Sequence, residues 1–265
     1  VSIKPAEHGA SQKSAVQADR NAPGSRLVFL YNQGSNQSNR GRRMKDNKRV
    51  VYELKEDLTE SDLARLRAAK TVALDCEMTG LNPNRDLLCL VQLSDGADPT
   101  LIVKTQDWTQ AANLRALLLD PAVTKIFHFA IMDCGFLVKY VGVMPVNVYC
   151  TKIASKLART YSPEHGLSSL VSELLGIDMD KTQQTTFWGG ALTERQLQYA
   201  ARDVAYLIEI RQRLEKILKQ KGVLPTGITY YELNLKCQAF IPTLTHLWVN
   251  GWDFGREDRS SVFGH

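Results

Sequence analysis

Between residues 71 and 150 short apolar runs alternate with helix-like patterns, and from Thr151 onward only helical periodicity remains. That order constrains the fold more tightly than any single motif. Residues 71–76 form an apolar run with β-branched members, closed by Gly80 and Pro83, and predict a strand. Residues 87–93 and 100–103 predict two more, separated by the turn-rich stretch 94–99. Residues 114–119 read as helix, 123–129 as strand, 131–141 as helix and 146–150 as strand. Thr193 followed by Gln196 is a capping-box start. It opens a helical pattern running to Gly222, with Leu197, Ala201, Val204, Leu207, Leu214 and Leu218 on one stripe. A further helix covers about 230–249. Strands joined through helices and followed by helices imply an α/β fold: a mixed sheet flanked by helices, with a helical C-terminal part.

Charge is unevenly spread. The first fifty residues hold ten Lys/Arg and three Asp/Glu, while the remainder holds 23 basic and 25 acidic residues. The net charge of +5 therefore belongs to the N-terminal stretch, and the body is not a basic nucleic-acid-binding domain. Residues 1–49 are rich in Ser, Asn, Gln, Gly and charge, which predicts a disordered basic extension ahead of a domain spanning 50–265. The cluster between Arg40 and Arg49 reads either as a solvated tail or as a phosphate-attracting arm. Met44 stands where ordered sequence is about to begin, which makes it an alternative start and residues 1–43 dispensable. Five scattered cysteines without a CxxC pair argue against a disulfide framework or a zinc finger and for the reducing cytoplasm. No apolar run approaches the ~20 residues needed to cross a bilayer, so no membrane partner is expected.

Three fragments carry acids with chemical potential. Asp75-Cys76-Glu77 ends the first strand, and alternation points both carboxylates to one face. Two like charges that close repel unless cations sit between them. Asp133 falls where strand gives way to helix, a position equally suited to a helix cap. Tyr199 and Asp203 share a helix face one turn apart, with Asp203 directly before the apolar Val204. Together, four carboxylates from two strand ends and a helix can converge on two divalent ions, a pair suited to in-line phosphodiester cleavage. Oxygen-only ligands favour Mg²⁺ or Mn²⁺ over zinc. Tyr199 would orient the attacking water.

Asp75-x-Glu77, His128-x4-Asp133 and Tyr199-x3-Asp203, in that order, resemble the three exonuclease motifs of the DEDD superfamily, in the subclass with Tyr in the third motif. The resemblance to ribonuclease D-like enzymes runs from about Val50 to Leu218. Segments 125–129, 150–157, 159–161, 165–167 and 262–265 are similar to the NrnC group of bacterial oligoribonucleases, over essentially all of 50–265. This resemblance implies a ribonuclease H-like fold, 3′→5′ hydrolysis of short RNA to mononucleotides, two divalent cations and a ring-shaped homo-oligomer. It implies that Asp75 bridges both metals, that Glu77 and Asp203 hold the water-activating one, and that Asp133 serves the leaving-group one. Two departures stand out. Ribonuclease D-like sequences often carry Asp before Trp188, where this chain has Phe187. The NrnC group tends to have Thr-Leu after the first-motif Glu, where this chain has Met78-Thr79.

Met78, Thr79, His128 and Phe129 are the other candidate substrate contacts beside these motifs, with a core histidine the alternative for His128. Lys152, Lys156 and Arg159 recur on one helix face, either as a solvated stripe or as a pocket for a 5′-phosphate, with Arg159 best suited by its fork and His165 beside it. Trp188, Trp248 and Trp252 read as core or interface. The leading expectation is a two-metal 3′→5′ exoribonuclease on short single-stranded RNA. Its rivals are an exonuclease on longer RNA or single-stranded DNA and a silent binding module, the latter disfavoured because all four acids and the tyrosine stand.

Overall fold

The computed structural model of the chain describes residues 44–45, 50–180 and 186–251. These belong to one compact unit, Arg42–His265; a second unit, Val1–Gly41, lies outside the described residues. So do most of the basic extension, Trp252 and the C-terminal segment 262–265.

Strand β1 (Met44–Lys45) is followed by β2 (Tyr52–Lys55) and helix α1 (Glu60–Ala69). Thr59 and Asp62 close a capping box at the start of α1. Then come β3 (Thr71–Met78), β4 (Leu88–Ser94), β5 (Thr100–Val103), α2 (Ala112–Leu118), β6 (Thr124–Phe127), α3 (Ala130–Tyr140) and β7 (Val148–Cys150). The rest is α4 (Thr151–Ala158), α5 (Leu167–Leu175), β8 (Ile177–Asp178), α6 (Glu194–Ala205), α7 (Leu207–Gln220), α8 (Tyr230–Ala239) and α9 (Ile241–Val249).

Six strands form one sheet in the order β2-β5-β4-β3-β6-β7. The hairpins β3–β4 and β4–β5 are antiparallel, whereas β2·β5, β3·β6 and β6·β7 are parallel. Parallel neighbours need a crossover, and α2 and α3 supply it. β4 is buried along almost its whole length, as a strand covered on both faces must be. This is the expected mixed α/β sheet with a helical C-terminal part.

Four differences from the sequence expectations have local causes. β3 extends to Met78 and brings Glu77 inside the strand, with a register shift between Glu77 and Met78. The expected strand 123–129 stops at Phe127 because Phe129 is left-handed (φ 69°). The single helix expected over 193–222 breaks at Tyr206, so that α6 lies across β3 and β4 while α7 packs against α4 and β6. The helix expected over 230–249 breaks at Phe240, where Pro242 falls in the first turn of α9; a proline there lacks the N–H and would clash with the preceding turn. β2 and α1 carried no sequence expectation. Within the stretch expected to be disordered, β1 pairs in parallel with β8.

Candidate active site

The carboxylates are gathered by the sheet's central strand and two helices. Asp75 and Glu77 alternate along β3 and so share a face. α6, which lies across β3 and β4, adds Tyr199 and Asp203 one turn apart. One ligand atom each from Asp75, Glu77 and Asp203 lie within 4.8 Å of one another. Asp133, in the first turn of α3, does not cap that helix: its Oδ1 accepts the Cys76 N–H at 3.1 Å and so ties α3 to β3. All four acids and Tyr199 line one cavity of about 410 Å³.

Burial pushes all four carboxyls above their ordinary range. Repulsion adds to it: Asp133 acts on Asp75, Asp75 and Asp203 on Glu77, and Asp75 on Asp203. Tyr199 is likewise held protonated, first by burial and then by the Asp203 and Glu77 charges, and its hydroxyl donates to Asp203. Trp188 is buried and its ring lies 6.2 Å from that of Tyr199, tilted by 39°, so the core fixes where the phenol can reach. An all-oxygen set, crowded and self-repelling, has the chemistry of a hard divalent cation site; Asp75, Glu77 and Asp203 could hold one ion directly, and Asp133, tied to Cys76 between the first two, lines the same cavity.

The structure brings some of the candidate substrate contacts to this cavity and not others. His128, Phe129 and Lys152 line it. His128 Nδ1 is 2.9 Å from Thr151 Oγ1, and burial, then the Lys152 charge, lowers its pKa to about 4, so it is neutral at pH 7. Met78 packs into the core instead, and Thr79 Oγ1 accepts the Leu87 N–H at 2.8 Å, which engages it within the hairpin. His165 Nδ1 meets Ser155 Oγ at 2.9 Å outside the lining.

Arg159 departs most from expectation. Its side chain is fully buried and its whole fork is used within the chain: it donates to both Glu173 carboxylate oxygens, to Ser155 and Ser162 hydroxyls and to the Glu164 carbonyl. With every N–H engaged it has no donor left for a phosphate. The helix pattern gave its face but not its partner fourteen residues on. Trp248, expected as core or interface, packs over Gly135 of α3.

The Arg159–Glu173 pair carries a prediction of its own. Glu173→Gln should leave a buried guanidinium short of its carboxylate and lower stability by roughly 1–3 kcal/mol, discounted because the Glu173 side chain is 39% exposed. Arg159 holds the Glu173 carboxyl below its ordinary range, so the pair stabilises fully above that range and fails as pH falls through the depressed value. The gap in melting temperature between wild type and variant should thus close in acid; a gap constant down to pH 3 would contradict the ion pair.

Sequence reasoning missed several walls of the cavity. Leu81, 71% exposed, stands on its rim, Met132 enters from α3, and Met179 and Asp180 follow β8. Met132 falls in the spacer of His128-x4-Asp133, the others belong to no motif, and only the fold carries them there.

Residues 51–219 match a family model described as 3′-5′ exonuclease. The chain is 34% identical over 177 residues to ribonuclease D of Escherichia coli, covering 65% of this chain and 46% of that one. It thus spans about half the length of the curated relatives it matches. Among solved structures, Brucella melitensis NrnC bound to pGG is 38% identical with a TM-score of 0.69, over 78% of this chain and 99% of that one. The same nuclease with bound Mg²⁺ is 36% identical with a TM-score of 0.67, over 79% and 100%.

Proposed function

Because the chain belongs to the 3′-5′ exonuclease family, with a ribonuclease H-like fold of the ribonuclease D and NrnC type, we propose that it hydrolyses short single-stranded RNA from the 3′ end to 5′-mononucleotides. The cavity carries this reading: three carboxylates within 4.8 Å of one another, a fourth lining the same cavity, and a phenol hydrogen-bonded to one of the three. Its volume of about 410 Å³ has room for the terminal one or two nucleotides of a strand. The likeness to a nuclease bound to pGG supports the same size class.

In this reading Asp75, Glu77, Asp133 and Asp203 would hold two divalent cations, Mg²⁺ or Mn²⁺, which when bound would supply charge stabilisation of the pentavalent transition state and acidify the attacking water. The chain's own groups do the rest. Tyr199, protonated and steered by Asp203 and the buried Trp188, orients the water for in-line attack. Asp133 is tethered to β3 by the Cys76 N–H, which keeps its carboxyl close to Asp75 and Glu77. His128, Phe129 and Lys152 contact substrate from the wall formed by the start of α3 and by α4. A homo-oligomer belongs to the same reading, and gel filtration with light scattering tests it. Among the described residues no helix is long and apolar enough to cross a membrane.

A time course on 5′-labelled two-, five- and twenty-nucleotide RNA and DNA, with Mg²⁺, Mn²⁺ or EDTA, tests the function. Fastest turnover of the dinucleotide RNA supports the reading; preference for the twenty-mer or for DNA favours the longer-strand alternative, and no turnover of any substrate refutes both. Metal binding has its own signature. Cations that fill the carboxylate cluster bind the folded state alone, so Mg²⁺ at about a hundred times its Kd should add roughly 2.7 kcal/mol, about 5–10 °C in melting temperature. An unchanged melting curve between EDTA and excess Mg²⁺ would argue against a metal centre there.

A further inference from the structure

Phe129 is an uncomfortable residue for its position. It is the N-cap of α3 in a left-handed backbone conformation (φ 69°, ψ 46°), where an aromatic side chain is sterically disfavoured and where it offers no capping hydrogen bond. The residue is 41% exposed and so adds little to the core, yet it lines the carboxylate cavity. Lys152 Nζ stands 3.9 Å from the ring centroid and lines the same wall. Among the described residues this ammonium has no carboxylate partner; the ring is its contact. A cation held over one face restrains the plane of the ring, so a base that stacks on it must use the opposite face. Backbone strain, an exposed aromatic and an unpaired cation in one spot are jointly unfavourable unless the spot is used.

We propose that the opposite face of Phe129 is the base-stacking platform of this cavity, with Lys152 restraining the ring from behind. This rests on the short-RNA reading above and adds how the substrate's base is gripped. Stacking uses the π-face that every base has, so the platform takes purines and pyrimidines alike and does not read sequence. A ring whose plane is already set loses little freedom when the base arrives.

The test uses 5′-phosphorylated dinucleotides carrying 2-aminopurine at either base, titrated with the full chain in Ca²⁺. Stacking on an aromatic ring quenches 2-aminopurine, so wild type should quench one of the two isomers on binding. Phe129→Tyr should retain the quench. Phe129→Leu and Phe129→Asn should lose it and bind about 10- to 100-fold more weakly. Asn tolerates a left-handed backbone, so Phe129→Asn should melt no lower than wild type and separates loss of grip from loss of fold. Lys152→Met should weaken binding less than removal of the ring. Wild-type quenching and affinity in Phe129→Leu would overturn the platform while leaving the short-RNA reading intact. A wild-type chain that degrades longer RNA but binds neither dinucleotide would overturn both.

Discussion

Asp203→Asn is expected to cost at least about a thousandfold in kcat and, in EDTA, to make the protein more stable than wild type. The two effects have one origin. Asp203 lies within 4.8 Å of Asp75 and Glu77 through their ligand atoms, and burial together with the Asp75 charge pushes its carboxyl upward. Without cations the folded chain must hold these charges together, whereas the unfolded chain lets them separate. Asn keeps the shape and an oxygen to accept the Tyr199 hydroxyl but removes one charge. Relief of that repulsion is worth on the order of 1–3 kcal/mol, or about 2–6 °C for a chain of this size. If Asp203 is a direct metal ligand, its loss should remove transition-state stabilisation of about 4 kcal/mol or more, hence the thousandfold. The ranking should invert with Mg²⁺, because wild type gains stability by binding and the variant gains less. Melting curves with and without Mg²⁺, beside steady-state rates, check both halves. An Asp203→Asn protein that melts below wild type in EDTA would mean that the cluster is held by something other than a balance against cations.

Tyr199→Phe separates chemistry from binding. Only a hydroxyl is lost, and the ring keeps its packing beside Trp188. If that hydroxyl positions the attacking water, kcat should fall by roughly ten- to a thousandfold, the span covered by positioning and acid–base contributions. KM should barely move, since the contact matters in the transition state and not in the bound ground state. Mg²⁺ titrations followed by melting temperature should superimpose on wild type. A wild-type kcat would leave the tyrosine as a packing residue, and a shifted KM with unchanged kcat would make it a substrate contact.

Much of this was legible in the sequence because it is local. The alternation that puts Asp75 and Glu77 on one face, and the helical spacing of Tyr199 and Asp203, depend on a few neighbouring residues and carried into the fold unchanged. The helix breaks were harder. Pro242 marks the break at Phe240 in the sequence, but Tyr206 has no breaker beside it, and its break follows from α6 and α7 packing on different parts of the molecule. Arg159 shows the limit of a helix-face argument. Periodicity gave the side it faces, while Glu173, on another helix, decides whether its fork is free. Phe129 was legible as a neighbour of the second motif, but its left-handed backbone was not, because nothing in its side chain asks for that conformation.

The pairing of β1 with β8 has a practical consequence for anyone handling this chain. Met44–Lys45 lies against Ile177–Asp178, and the next two residues, Met179 and Asp180, are cavity wall. Met44–Lys45 is therefore a neighbour of the cavity wall, although more than a hundred residues separate the two along the sequence. A tag or protease site joined directly to Met44 would start from a strand that borders this wall. Turnover compared between proteins tagged at that junction and proteins cut back to it would report on access to the cavity, without a single mutation inside it.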